Sequence, residues 1–264
     1  MNDKNNILEI KKSPSGNFCE LSLNRPKVHN ALNPSMMRKL IRFFRQIEND
    51  DAVRVIIVRG EGSSFCAGAD LVWMKKSANL SEKENLEEAE LLSEFFAVLK
   101  NSSKVTIAIA YGNVFGGGNG LVAACDLSYG LNNTRFSLSE TRLGLVAATI
   151  SPYMLQRLSQ SVYKELVFTA REFNGIEAAQ MGLLNKSFKT RDELEFFLKQ
   201  TVDRILKGGP MSIVGSKRLI NSLTSPEIAH EITKQIPQLL ADVRVSSEAR
   251  EGFAAFLEKR KPNW

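Results

Sequence analysis

Phe65-Cys66-Ala67-Gly68-Ala69-Asp70 and Asn113-Val114-Phe115-Gly116-Gly117-Gly118-Asn119-Gly120 are the two stretches on which the fold of this 264-residue chain turns. Each follows an apolar, β-branched run bounded by turn residues, Val53 to Val58 before the first and Val105 to Ala110 before the second. Such runs are expected of strands covered on both faces. Each stretch then puts small residues where its strand ends, so that backbone can approach a ligand with no side chain between. Two N–H groups facing one point from these loops would make an oxyanion hole. The second loop also turns sharply into a short helix, Asn119 to Cys125, whose first amides favour negative charge. Its glycines do not fall in the Gly-x-Gly-x-x-Gly spacing of a dinucleotide site.

Working outward, the first 25 residues read as two short strands, Ile7 to Ile10 and Phe18 to Leu23, in the second of which Cys19, Leu21 and Leu23 alternate with polar residues. Asn33 as N-cap and Pro34 at the first helical position open a helix with Met37, Leu40, Ile41, Phe44 and Ile47 on one face. Ser81-Glu82-Lys83-Glu84 is a capping box for a helix to about Lys100. Beyond Cys125, short strands are expected at Leu127 to Tyr129, Arg135 to Leu138 and Leu184 to Phe188. Helices are expected at about 150–170, 176–182, 191–207, 211–222, 226–243 and 247–259. Strand, helix, strand is the start of an α/β fold. The domain expectation is a core over 1–200 followed by a helical region over 201–264.

Composition excludes several classes. Hydrophobic residues at 43% and charged residues at 24% rule out disorder and low-complexity character. No stretch has the length of a membrane span, and Met1 to Asn6 lacks the layout of a secretory signal, so the expected location is the cytoplasm. Cys19, Cys66 and Cys125 are far apart with no Cys-x-x-Cys pair and read as reduced core thiols; with only His29 and His230 in the chain, no metal centre is expected. The net charge of +6 suits nucleic acid or a small polyanion equally, but the basic residues are scattered with no stripe interleaved with aromatics, so nucleic acid is not expected as a primary partner.

Read together, these motifs resemble the enoyl-CoA hydratase/isomerase (crotonase) family. The resemblance is carried in order by Leu23-Asn24-Arg25-Pro26 with Asn30-Ala31-Leu32, Phe65 to Leu71, Gly116-Gly117-Gly118, Ala124-Cys125-Asp126, Phe136 to Glu140 with Leu143-Gly144-Leu145, and Glu251-Gly252-Phe253 with Ala255 to Pro262. It implies a crotonase-type spiral of ββα units, a C-terminal helical trimerisation region and a homo-oligomer, trimer or hexamer. It also implies an acyl-CoA thioester as substrate, with coenzyme A part of that substrate and no separate cofactor.

By this resemblance the N–H groups of Ala69 and Gly117 polarise the thioester oxygen, and Glu140 matches the second of the family's two hydratase glutamates. Gly120 stands in the place of the first. Cys66 and Ala67 match the segment along the adenine end of coenzyme A, Lys27 and Lys217 fall where basic residues meet its phosphates, and Asp70, Leu71 and Gly120 are set along the substrate. Asp70 and Asp126 also read as caps for loop amides. Hydration needs one group to take a proton from water and another to deliver one to C2. A single carboxyl group suits either a concerted hydration or an isomerase that shuttles a proton between C2 and C4. The runs Phe65 to Met74 and Ser139 to Tyr153 resemble bacterial proteins assigned to methylglutaconyl-CoA hydration in leucine breakdown and, equally, a related hydratase of carboxylated terpenoid acyl-CoA. Arg142 reads first as a surface or interface ion pair and second as a partner for a substrate carboxylate.

Overall fold

Alternation in Phe18–Leu23 puts Cys19, Leu21 and Leu23 on a fully buried face, and this strand organises the main sheet in the computed structural model, which describes residues 7–77, 79–223 and 226–264. Met1 to Asn6 lie outside the described residues, as does the side chain of His230. The sheet has six strands in the order β1 (Leu8–Lys12), β2 (Phe18–Leu23), β3 (Val55–Gly60), β4 (Val105–Ala110), β6 (Leu127–Leu131) and β9 (Lys186–Phe188). β1 and β2 form an antiparallel hairpin, and every later pairing is parallel. A second sheet joins β5 (Asn113–Phe115), β7 (Arg135–Ser137) and β8 (Phe173–Asn174).

Parallel neighbours need crossovers, and helices supply them. α1 (Pro34–Ile47) links β2 to β3, with the Asn33 side chain accepting from the Met36 N–H. It buries Met36, Met37, Leu40, Ile41, Phe43, Phe44 and Ile47, each worth roughly 1.5–3 kcal/mol against exposure. α2 (Leu71–Ser77) and α3 (Glu82–Asn101) link β3 to β4, and the Ser81 and Glu84 capping box forms as the sequence reads. α4 (Gly117–Ala124) follows β5 and is buried almost throughout. The three cysteines are buried and free.

Four local readings change. Residues 113–115 form strand β5 instead of a plain turn, and β8 supplies an edge too short to carry a periodicity. α2 was not expected, because its signal is the cap Asp70 and not an apolar face. The helix expected over 150–170 is two pieces, α5 (Ser151–Met154) and α6 (Gln160–Thr169). Arg157 lies in the break and donates to the carbonyls of Cys125 and Asp126, while Ser159 caps α6 through the Val162 N–H. After α7 (Gly175–Met181) and β9, the chain divides into compact units within α8 (Arg191–Leu206), the second being Lys199–Trp264. In that unit α9 (Pro210–Leu223) is capped by the Glu248 carboxylate at the N–H groups of Met211 and Ser212. α10 (Pro226–Val245) and α11 (Ser247–Leu257) complete it.

Candidate active site

Three backbone segments run side by side and end at one cavity of about 590 Å³. Cys66 pairs with Val114 in a parallel bridge, and Leu32 pairs with Ala69 in another. Asn30 pins the first segment: its amide donates to the carbonyls of Glu61 and Ser64 and its oxygen accepts from the Arg25 N–H. Arg25 in turn donates to the Ala31 carbonyl and pairs with Asp70 at 2.6 Å. The Asn-Arg-Pro and Asn-Ala-Leu motifs are therefore the staples that hold the 66–70 loop in place.

The two glycine turns meet back to back. Gly68 has φ +88° and Gly116 φ +45°, and a Cβ on Gly68 would stand 2.8 Å from the Phe115 carbonyl oxygen. Only glycine fits there. One residue beyond each turn stand Ala69 and Gly117, both on the cavity wall. Among the described residues no hydrogen bond takes up either N–H. Gly117 is the first residue of α4, so its amide is one of those a helix leaves without an internal partner.

Glu140 reaches the same cavity from the 3₁₀ turn Glu140–Leu143 that follows β7. β7 is fixed to the second loop, since the Gly116 N–H and the Asn119 side chain both donate to the Ser137 carbonyl. A Cβ on Gly116 would lie 3.2 Å from Glu140 Oε1. Oε2 is buried with no hydrogen-bond partner among the described residues. Burial pushes the Glu140 carboxyl above the ordinary carboxylate range, and its own backbone N–H only partly offsets this. Tyr163 is buried close enough to feel the charge; its hydroxyl pairs with Ser151 Oγ at 2.8 Å.

The other singled-out residues fall in different places. Asp70 Oδ1 accepts from the N–H groups of Val72 and Trp73 while Oδ2 holds Arg25, so its carboxylate caps α2. Asp126 Oδ2 is likewise taken by the Thr106 N–H and hydroxyl. Cys66 is buried, its thiol pushed up to about 12 by desolvation. Ala67 is held through its N–H on the His29 carbonyl, and Leu71 is exposed at the start of α2. Lys27 is exposed on the 3₁₀ turn Pro26–Val28, and Lys217 lies on α9 in the second unit. Arg142 donates to the Thr169 carbonyl and is not a lining residue.

Gly120 is not at the cavity surface. A Cβ there would meet Ile150 Cγ2 at 2.3 Å and the Phe96 ring at 2.8 Å, so these two side chains fill the space that a side chain at 120 would need. Sequence reasoning missed Glu88, Trp73 and Ser77, which share one hydrogen-bond cluster on the wall. No local pattern singles out Glu88 within Glu87-Glu88-Ala89-Glu90; only the register of α3 against α2 does.

Residues 14–264 match the sequence pattern of the enoyl-CoA hydratase/isomerase family. A crotonyl-CoA hydratase of Syntrophomonas wolfei is 32% identical over 246 residues, covering 92% of this chain and 93% of that protein. A short-chain-enoyl-CoA hydratase of Clostridium acetobutylicum is 30% identical over 259 residues, covering 97% and 96%. A crystal structure of an enoyl-CoA hydratase from Shewanella pealeana superposes with a TM-score of 0.92 at 29% identity, covering 98% of this chain and 96% of that one. The fold is thus that of the crotonase-type hydratases.

Proposed function

Because the chain belongs to the enoyl-CoA hydratase/isomerase family, we propose that it adds water across the C2–C3 double bond of an enoyl-CoA thioester, with Ala69, Gly117 and Glu140 performing the chemistry. The observation that carries this reading is the Glu140 carboxyl, desolvated and with Oε2 unpartnered, in one cavity with two unengaged backbone N–H groups.

The thioester oxygen accepts from the Ala69 and Gly117 N–H groups, which stabilise the negative charge it gains as water attacks C3. One such donor is typically worth ~10²–10³ in rate. With the space beside Gly120 filled by Phe96 and Ile150, both proton transfers are assigned to Glu140, the carboxyl group that adjoins the Gly116 turn. A neutral carboxyl group can do both jobs at once: its hydroxyl donates a proton to C2 while its other oxygen takes one from the attacking water, whose oxygen bonds to C3. The carboxyl group is regenerated with its oxygens exchanged, and burial shifts Glu140 in the direction of the protonated form this cycle uses. Lys27, exposed on the 3₁₀ turn Pro26–Val28, is the basic residue this reading takes for a phosphate of coenzyme A.

A second reading is an enoyl-CoA isomerase, favoured by the filled space beside Gly120, with Glu140 moving a proton from C4 to C2 without water. The experiment that separates the two supplies the purified protein with crotonyl-CoA and with a 3-enoyl-CoA. A hydratase bleaches the conjugated absorbance of the first; an isomerase creates that absorbance from the second.

Self-association into a trimer or hexamer is part of the proposal. Phe253, Phe256 and Leu257 on α11 are 58%, 82% and 77% exposed, more apolar surface than one short helix usually leaves in water. Light scattering that returned a monomer at micromolar concentration would overturn this part. Sequence resemblance suggests a methylglutaconyl thioester, a chain that would bring a further carboxylate into a cavity already lined by Glu140 and Glu88.

A further inference from the structure

Among the described residues two carboxylates, Glu140 and Glu88, line the cavity, and none of the lining residues is a lysine, arginine or histidine. Glu88 projects from α3. Its Oε2 accepts from Trp73 Nε1 at 2.6 Å and from Ser77 Oγ at 2.7 Å, both on α2. Its Oε1 receives no hydrogen bond from any described residue. The side chain cannot swing aside without breaking both bonds. α2 is itself anchored, because Asp70 caps it while paired with Arg25. Glu88 is therefore a fixed acceptor in a cavity whose lining includes the apolar Met74, Ala89, Leu92, Leu145 and Val146 and the uncharged polar Asn85 and Thr149.

A ligand group arriving beside it meets three different outcomes. An apolar chain end packs on the aliphatic wall. A hydroxyl gains an acceptor already oriented. A second carboxylate loses water beside a like charge, with no cation among the lining residues to offset it. We propose that Glu88 is the specificity-determining residue of this cavity: it admits a neutral acyl chain, favours one bearing a hydroxyl that can donate to Oε1, and rejects one ending in a carboxylate. The inference rests on the cavity being the acyl site of a coenzyme A thioester, and it places methylglutaconyl-CoA among the rejected chains.

The test uses saturated thioesters, which cannot be hydrated, so it reads binding whether or not the protein turns over. The full-length protein is titrated calorimetrically with two matched pairs, butyryl-CoA against succinyl-CoA and hexanoyl-CoA against adipoyl-CoA, and with 6-hydroxyhexanoyl-CoA. The neutral member of at least one pair is expected to bind tenfold or more tightly than its carboxylated partner, and 6-hydroxyhexanoyl-CoA at least as tightly as hexanoyl-CoA. Glu88→Gln should bring the carboxylated member within about threefold of the neutral one. Ser77→Ala removes one donor but keeps the charge, so it should keep the discrimination; losing it there as fully as in Glu88→Gln would assign the effect to packing and overturn the proposal. Equal binding of both members of both pairs to the wild type would also overturn it. If none of the five thioesters binds, the acyl-CoA reading itself fails, an outcome distinct from binding without discrimination.

Discussion

Glu140 occupies space that a side chain on Gly116 would need: the position a Cβ would take on Gly116 is 3.2 Å from Glu140 Oε1 and 3.8 Å from its carboxyl carbon. The turn that exposes the Gly117 amide and the group that moves the proton thus adjoin at a glycine with φ +45°. Gly116→Ala should strain the backbone by at least ~1–2 kcal/mol and push the carboxyl group off its position. Expected is a lower melting temperature together with a fall in kcat larger than any rise in KM. Unchanged kcat would mean that the space left by Gly116 does not position Glu140.

The amide of Gly117 can be removed or kept by choice of substitution. Proline suits the first position of a helix, so Gly117→Pro deletes the N–H where the backbone tolerates it best. Its rate should fall ~10²–10³-fold. Gly117→Ala keeps the donor, and its Cβ would meet only the side-chain tip of Leu32, Cδ1, at 3.1 Å. It should retain most of the activity. Equal losses in the two variants would point to crowding and away from an oxyanion donor.

Gly120→Glu does not restore a two-carboxylate site. The new side chain would displace Ile150 and Phe96, and overpacking of a filled core costs ~1–3 kcal/mol before the burial of a charge is added. Thermal denaturation should show marked destabilisation, with no gain in hydration rate. A variant that folds with wild-type stability and turns over faster would contradict the packing described around Gly120.

Glu140 titrates higher in the folded than in the unfolded chain because burial disfavours its charge. The folded state therefore holds this proton where the unfolded chain has already released it. Its contribution to stability is complete below the unfolded value and is lost as pH rises through the folded one. Glu140→Gln removes that loss, so the variant should melt above the wild type at neutral pH, by ~2–4 °C for each kcal/mol recovered. The difference should vanish below the ordinary glutamate range. Melting curves across pH check the sign. Hydration rate should decline over the same rise in pH, since the cycle uses the protonated carboxyl.

Much of this was legible in the sequence because its signals are local. The Asn33 cap with Pro34, the Ser81 and Glu84 capping box and the buried run Val105–Ala110 each lie within a few residues of the element they specify. The two glycine loops were legible for the same reason. Glu88 was not, since its meaning depends on Trp73 and Ser77 coming from another helix. Gly120 marks the same limit: its sequence position identifies a missing glutamate, but only packing identifies Phe96 and Ile150 as what fills the space. Likewise the break between α5 and α6 depends on Arg157 finding carbonyls more than thirty residues earlier in the chain.

The claim that Glu140, with the Ala69 and Gly117 amides, adds water to an enoyl-CoA is tested most directly by following solvent oxygen. Wild-type protein and Glu140→Gln are incubated with crotonyl-CoA in ¹⁸O-labelled water, and the thioester product is analysed by mass spectrometry. The account predicts a singly labelled 3-hydroxyacyl-CoA from the wild type and a ~10²–10⁴-fold slower appearance of label from the variant, with crotonyl-CoA binding retained. No label from wild-type protein that still binds crotonyl-CoA, or equal labelling by both proteins, would contradict it.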